Sequence, residues 1–196
     1  MPALDFEPAT LQLTKVVAGV REDQLADPTP CADTPVAALL DHIHGLALGL
    51  AIAGTKELDQ LPEGGAAPKA SAAELPDDWR TEIPVRLEGL AAAWRSPGAW
   101  EGMTQAGGVD LPGEVCGLVA LDEVIVHGWD LAVATGQPYD VDPELLAAVH
   151  GWVATFEPPP DAAGGLFGPR VPVPDDAPLL DRTLGLTGRD PSWSPG

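Results

Sequence analysis

The sequence predicts an all-α protein built on a four-helix bundle. Four long segments repeat their apolar residues at the three- and four-residue spacing of a helix face. No segment alternates apolar and polar residues for long enough to suggest a sheet protein. At 196 residues and 45% hydrophobic content, the chain is long enough to bury one core of ordinary size. A single domain over 1–196 is therefore expected.

The first helix is expected from about Pro8 to Val20, with Leu11, Leu13, Val16, Val17 and Val20 as its apolar set. Arg21 to Pro30 is polar and rich in turn formers. The second helix starts at Thr34-Pro35, since Thr34 suits the N-cap and Pro35 the first helical position. It carries Val36, Leu39, Leu40, Ile43, Leu46 and Leu50 to about Gly54. Leu61 to Ala73 reads as a loop, broken by Pro62, Gly64, Gly65 and Pro68. The third helix runs from about Asp77 to Trp94, and Pro84 within it predicts a kink or a late start. Ser96 to Gly113 reads as irregular, with two glycine-containing turns; short strand pairing is the alternative there and is not relied on. The fourth helix begins near Glu114 and ends at Gly136. An additional short helix follows from Pro143 to Phe156, capped by Asp142. From Glu157 the chain is an irregular Pro/Gly-rich segment, a wrapping tail over 157–196. Within that tail, Leu179 to Leu186 reads as a last short helix.

The net charge of -20 argues against nucleic acid and against an anionic membrane surface, both of which need Lys and Arg. Its plain reading is solubility. Lysine is confined to Lys15, Lys56 and Lys69, while Ala, Gly, Pro, Asp and Arg are favoured, as in a GC-rich genome. Cys31 and Cys116 form neither a disulfide framework nor a CxxC site, so a reducing cytoplasm is expected. Met1 to Glu7 has no basic region leading into an apolar one, so no secretory signal is expected. The longest apolar stretch, Gly45 to Gly54, is too short for a bilayer. Oligomeric state stays open, a dimer included.

The run Leu121-Asp122-Glu123-Val124-Ile125-Val126-His127-Gly128-Trp129-Asp130 carries the chemistry. On a helix, Glu123 and His127 share one face, one turn apart. Leu118, Leu121, Val124, Ile125, Val126 and Leu131 point in nearly every other direction, so the helix should be buried all round. A buried carboxylate and imidazole need partners, and a divalent metal ion satisfies both. The second helix offers His42 or His44, which project to opposite sides. Ala38, Gly45 and Gly49 beside His42 leave room for an ion, so His42 is read as inward and His44 as rim or surface. The expected metal ligands are His42, Glu123 and His127, three ligands with open positions for water or substrate. Zinc suits this set, and so do nickel and iron(II). No cofactor-binding motif beyond the metal is read. The competing reading of Glu123 and His127 is a rim ion pair.

Asp130 lies three residues past His127 and is the candidate catalytic residue, as a base or as an acceptor orienting His127. The alternative is a helix-end carboxylate bound to backbone or solvent. Cys116 reads as a small core residue and Cys31 as a packed turn residue. Trp129 reads as core or pocket wall, and His150 as surface. Arg182 and Arg189 are read as surface ion pairs, with contact to an acidic substrate if the tail folds over the bundle mouth.

Thr29-Pro30-Cys31, with Val36 and Leu39-Leu40-Asp41-His42, resembles the start of the second helix in DinB/YfiT-like proteins of actinobacteria. Leu121 to Ala132, followed by Ala134-Thr135-Gly136, is similar to their Glu/His helix. More closely, the chain resembles the group carrying the metal-binding domain of mycothiol-dependent maleylpyruvate isomerase. Leu184-Gly185-Leu186-Thr187-Gly188-Arg189-Asp190-Pro191 matches the tail of that group. The resemblance implies a DinB-like four-helix bundle with His42, Glu123 and His127 as metal ligands. It also implies mycothiol as cosubstrate and an electrophilic small-molecule substrate. The chemistry would be thiol transfer or isomerisation; the alternative is a bundle that binds metal or ligand without turnover. Members carry Trp in a Cys-Pro-Asp-Trp-Thr-Val stretch, where this chain has Cys31-Ala32-Asp33-Thr34-Pro35-Val36. The chain also reads as too short for the separate C-terminal domain of the isomerase.

Overall fold

A computed structural model describes residues 3–61, 69–156 and 167–195. The chain folds as α1 (Glu7–Gly19), α2 (Val36–Thr55), α3 (Trp79–Trp94), a short α4 (Pro97–Trp100), a hairpin of β1 (Met103–Ala106) and β2 (Val109–Pro112), α5 (Gly113–Ala134), α6 (Pro143–Val153) and α7 (Leu179–Leu186). The protein is thus mostly helical, and α1, α2, α3 and α5 form the bundle. Helix α2 packs on α3 and α5, and α1 packs on the same two, which closes a ring of four. Its centre is filled by Leu13, Leu40, Ile43, Leu87, Leu121 and Ile125, all fully buried.

The segment between Ser96 and Gly113 departs from the irregular reading. Antiparallel β1 and β2 pair from Met103 with Pro112 to Ala106 with Val109, turning at Gly107 and Gly108, both of which adopt positive φ. The hairpin is anchored by Thr104, whose buried hydroxyl donates to the Ala53 carbonyl at 2.6 Å. At the same end, Phe6 stacks on Trp94 and meets Trp100 edge-on. Trp94 Nε1 donates to the Leu50 carbonyl at 3.0 Å.

The start of α2 also differs. Its N-cap is Pro35, extended at φ -70° and ψ 164°, because the Thr34 hydroxyl donates to the Ala32 carbonyl instead of capping. The Val36 and Ala37 amides donate to the carbonyls of Asp27 and Leu25, so the preceding loop satisfies the first turn. Asp142 caps α6 as expected, accepting from the Glu144 and Leu145 amides. The final helix Leu179–Leu186 matches its expected span. Parts of the Leu61–Ala73 loop and of the Glu157–Ala177 wrapping segment, residues 62–68 and 157–166, lie outside the described residues.

By length and composition α2 is apolar enough to cross a membrane, which Gly45–Gly54 alone understates, but 61% of its most apolar window is buried inside the protein. That apolarity is spent on α3 and α5. His44 corrects the sequence reading: it is 9% exposed rather than at the rim, and its Nε2 lies 2.7 Å from Glu82 on α3. Arg86 reaches both Glu82 and the His44 carbonyl, making a polar clamp between α2 and α3. A hydrogen bond with His44 first, and then Arg86, holds the Glu82 carboxyl below its usual range.

Trp94→Ala removes the centre of the aromatic cluster and is expected to cost about 3–5 kcal/mol in urea unfolding. A carboxyl depressed in the fold contributes stability above its unfolded pKa of about 4.3, and that stability is lost as pH falls. Unfolding at pH 7 and pH 3 should therefore show a smaller acid loss for Glu82→Gln than for the native protein.

Candidate metal centre

Helix α5 is buried on nearly every side, and it carries Glu123 and His127 toward the start of α2. A close approach makes this possible: a Cβ at Gly128 would collide with the Tyr139 hydroxyl, which donates to the Ile125 carbonyl at 3.0 Å. Tyr139 thus braces the far side of the same helix. His42 from α2 completes the group. Its Nε2 lies 3.5 Å from Glu123 Oε2, and His127 Nε2 lies 3.1 Å from the same oxygen. The two imidazoles meet edge-on, with centroids 4.8 Å apart. The space foreseen beside His42 is present, since a Cβ at Gly45 or Gly49 would meet nothing within 4 Å. The structure thus brings together the three expected ligands.

Glu123 Oε2 is buried, yet among the described residues it has no partner with hydrogen-bond geometry. Burial opposes its ionisation, but the His127 and His42 imidazoles outweigh burial and hold the carboxyl well below the usual range. One ligand atom from each residue falls in a group spanning at most 4.8 Å. Ligands at about 2.0–2.1 Å in a tetrahedron around zinc are about 3.3 Å apart, close to the two contacts with Glu123. The donor set therefore fits a divalent ion.

Behind His127 lies a second layer. Its Nδ1 is 3.0 Å from Asp130 Oδ2, and Asp130 is wholly buried. Burial would lower the affinity of His127 for a proton, but Asp130, Cys31 and Glu123 raise its pKa well above the ordinary value. Burial would raise the Asp130 pKa, but His127 and Arg189 bring it down. Arg189 comes from the tail just beyond α7 and reaches Asp130 Oδ2 at 3.1 Å and Cys31 Sγ at 3.3 Å. Of the two expectations for Arg189, the surface ion pair is replaced by a buried one, because the tail folds over this end of the bundle.

Cys31 is more than a packed turn residue. Its Sγ lies 3.1 Å from Asp130 and 3.9 Å from His127 Nδ1. Its loop is pinned by the Thr29 hydroxyl, which donates to the Thr34 carbonyl at 2.7 Å and accepts from the Cys31 amide at 3.2 Å. Cys31, His127 and Asp130 also lie close enough to share an ion. The Arg189 guanidinium already supplies the positive charge there, so this second group reads as an ion-paired support. Cys116 is buried in the core as expected, and burial pushes its thiol up to about 12. Trp129 is buried against Val126 and Leu184. His150 is half-buried rather than at the surface, with Nδ1 3.1 Å from the Thr183 hydroxyl. Arg182 Nε is buried without a hydrogen-bond partner among the described residues, not in a surface pair.

Sequence reasoning missed Asp122, Phe167 and Thr187, which line a cleft beside the triad with Glu123, Val126, His127 and Arg189. Burial, and then the neighbouring Glu123, raises the Asp122 carboxyl to about 8. The signal for Arg189 and Thr187 was the tail motif Leu184 to Pro191. Nothing in the apolar spacing of α5 set Asp122 apart.

The chain matches the family model described as the mycothiol maleylpyruvate isomerase N-terminal domain over residues 6–132. It belongs to that family. The matched range holds α1 to nearly the end of α5, and therefore all three triad residues. Two uncharacterized proteins of Mycobacterium tuberculosis, from strains CDC 1551 and H37Rv, are 31% identical over 195 residues, covering 96% of this chain and 97% of each relative. The crystal structure of the mycothiol-dependent maleylpyruvate isomerase is similar in fold, with a TM-score of 0.56 at 17% identity, covering 74% of this chain. A histidine-to-alanine mutant of that isomerase gives 0.57 at 16% identity. This chain spans 65% of the solved isomerase's length. In this chain, Arg189 and Cys31 lie outside the candidate triad but touch Asp130, which supports it.

Removing one partner of a buried ion pair typically costs about 3–5 kcal/mol. Arg189→Ala is expected to lose stability in that range in urea unfolding. A loss below about 1 kcal/mol would mean that His127 alone satisfies Asp130.

Proposed function

We propose that this protein is a metal-dependent enzyme that uses mycothiol in an S-transfer or isomerisation reaction, with His42, Glu123 and His127 holding a divalent ion. The observation that carries this reading is the buried Glu123 oxygen, faced by two imidazole nitrogens at 3.1 and 3.5 Å and without a hydrogen-bond partner among the described residues. When bound, such an ion favours the thiolate form of a nearby thiol and polarises a carbonyl. Zinc is the ion we favour, with nickel and iron as alternatives.

The chain's own residues prepare that chemistry. Asp130 accepts the Nδ1 proton of His127, so that Nε2, facing Glu123 and His42, is the nitrogen that would give up its proton to hold an ion. Arg189 neutralises Asp130 and keeps it from drawing a second proton. Asp130 is thereby assigned to orienting His127 rather than to contact with substrate. The tail supplies Phe167, Thr187 and Arg189 to the site wall and limits water there. The substrate is proposed to be an electrophilic small molecule that receives the thiol. The protein is placed in the cytoplasm, where free Cys31 and Cys116 and a reduced thiol pool belong. A second reading, a bundle that binds metal or a small ligand without turnover, is favoured by the small size of the cleft, about 50 Å³.

Elemental analysis of purified protein should find close to one divalent ion per chain. His42→Ala and His127→Ala should lose it, and Asp130→Asn should weaken metal affinity by about 10–100-fold. With mycothiol and a panel of electrophiles, including maleylpyruvate, metal-loaded protein should consume thiol above background. Metal retention by both histidine variants would overturn the ligand assignment, and background thiol consumption would favour the binding reading.

A further inference from the structure

Asp122 precedes Glu123 on α5 and is only 4% exposed. Its Oδ1 has no hydrogen-bond partner among the described residues. A buried oxygen left in this way costs roughly 1–3 kcal/mol. Asp122 sits mid-helix, so it neither caps a helix nor closes a turn. It does line the cleft beside the triad, between Val126 and His127 on one side and Phe167, Thr187 and Arg189 on the other.

We propose that Asp122 recognises the thiol ligand by accepting a hydrogen bond from an N–H or O–H group of that ligand. This inference rests on the metal–thiol reading above. The cleft of about 50 Å³ takes one small polar group rather than a whole substrate. The group that meets it is a donor, because a carboxyl group accepts through an oxygen in either protonation state. Val126 and Phe167 form the apolar walls that make an unmatched polar group costly, so the contact discriminates between ligands.

The test uses zinc-loaded protein and two thiols with the same reactive arm: N-acetylcysteine methyl ester, which carries an N–H, and methyl 3-mercaptopropionate, which carries no donor beyond its thiol. Calorimetric titration of the native protein should favour the first by about tenfold. Asp122→Asn keeps an acceptor oxygen and should keep the preference. Asp122→Ala and the bulkier Asp122→Leu should bring the two affinities together at unchanged zinc content; the leucine variant serves if the alanine one fails to fold. Equal affinities in the native protein, or a preference that survives in the folded alanine or leucine variant, would overturn the assignment while leaving the metal–thiol reading intact. Native protein that binds no zinc, or neither thiol, would overturn both.

Discussion

Everything at the functional end of this bundle depends on one constraint: an ionised carboxylate, Glu123, placed in an apolar helix that the fold buries. Glu123 Oε2 is buried from water, and among the described residues nothing gives it a hydrogen bond. The two nearest groups are imidazole nitrogens, which are either weak cations or lone-pair donors. As lone-pair donors they converge with the carboxylate on one point, and a divalent ion then satisfies all three. The rest of the site follows from keeping those imidazoles oriented.

That orientation is built in layers. Asp130 fixes His127, Arg189 fixes Asp130, and Cys31 fills the space between the loop before α2 and the end of α5. The layers come from separate parts of the chain: Asp130 from the same helix, Arg189 from the tail and Cys31 from the loop before α2. The opposite end of the bundle is held by different physics. There Phe6, Trp94 and Trp100 pack as rings, and the hairpin closes the end through the Thr104 hydroxyl. Aromatic packing is thus concentrated at one end, and buried polar contacts at the end that holds the candidate site.

The fold was legible because the four long helices write their apolar spacing clearly, and because Asp142-Pro143 is a helix start that needs no tertiary help. The triad was legible for a related reason: polar residues inside apolar helices are conspicuous, and Gly45 and Gly49 marked the side with room. What escaped depended on contacts between distant segments. His44 gave no sign of its partner, since Glu82 and Arg86 lie on another helix. Thr34 looked like a cap, but its hydroxyl bonds locally. The hairpin over Met103–Pro112 is too short for strand patterning to outweigh its turns. Cys31 and Arg189 meet across most of the chain, and only the likeness of their surrounding motifs to a known family hinted at a shared place. Asp122 hid because one acidic residue beside another reads as a charged face.

The geometry groups His42, Glu123 and His127 closely enough to share an ion, and that ligand set is the point on which the account stands. X-ray absorption spectroscopy of the metal in purified, thiol-free protein tests it most directly. The account predicts a first shell of nitrogen and oxygen at about 2.0–2.2 Å, with two imidazoles and no sulfur. A sulfur at about 2.3 Å would move the ion to Cys31, Asp130 and the other nitrogen of His127, and would contradict the assignment to His42, Glu123 and His127.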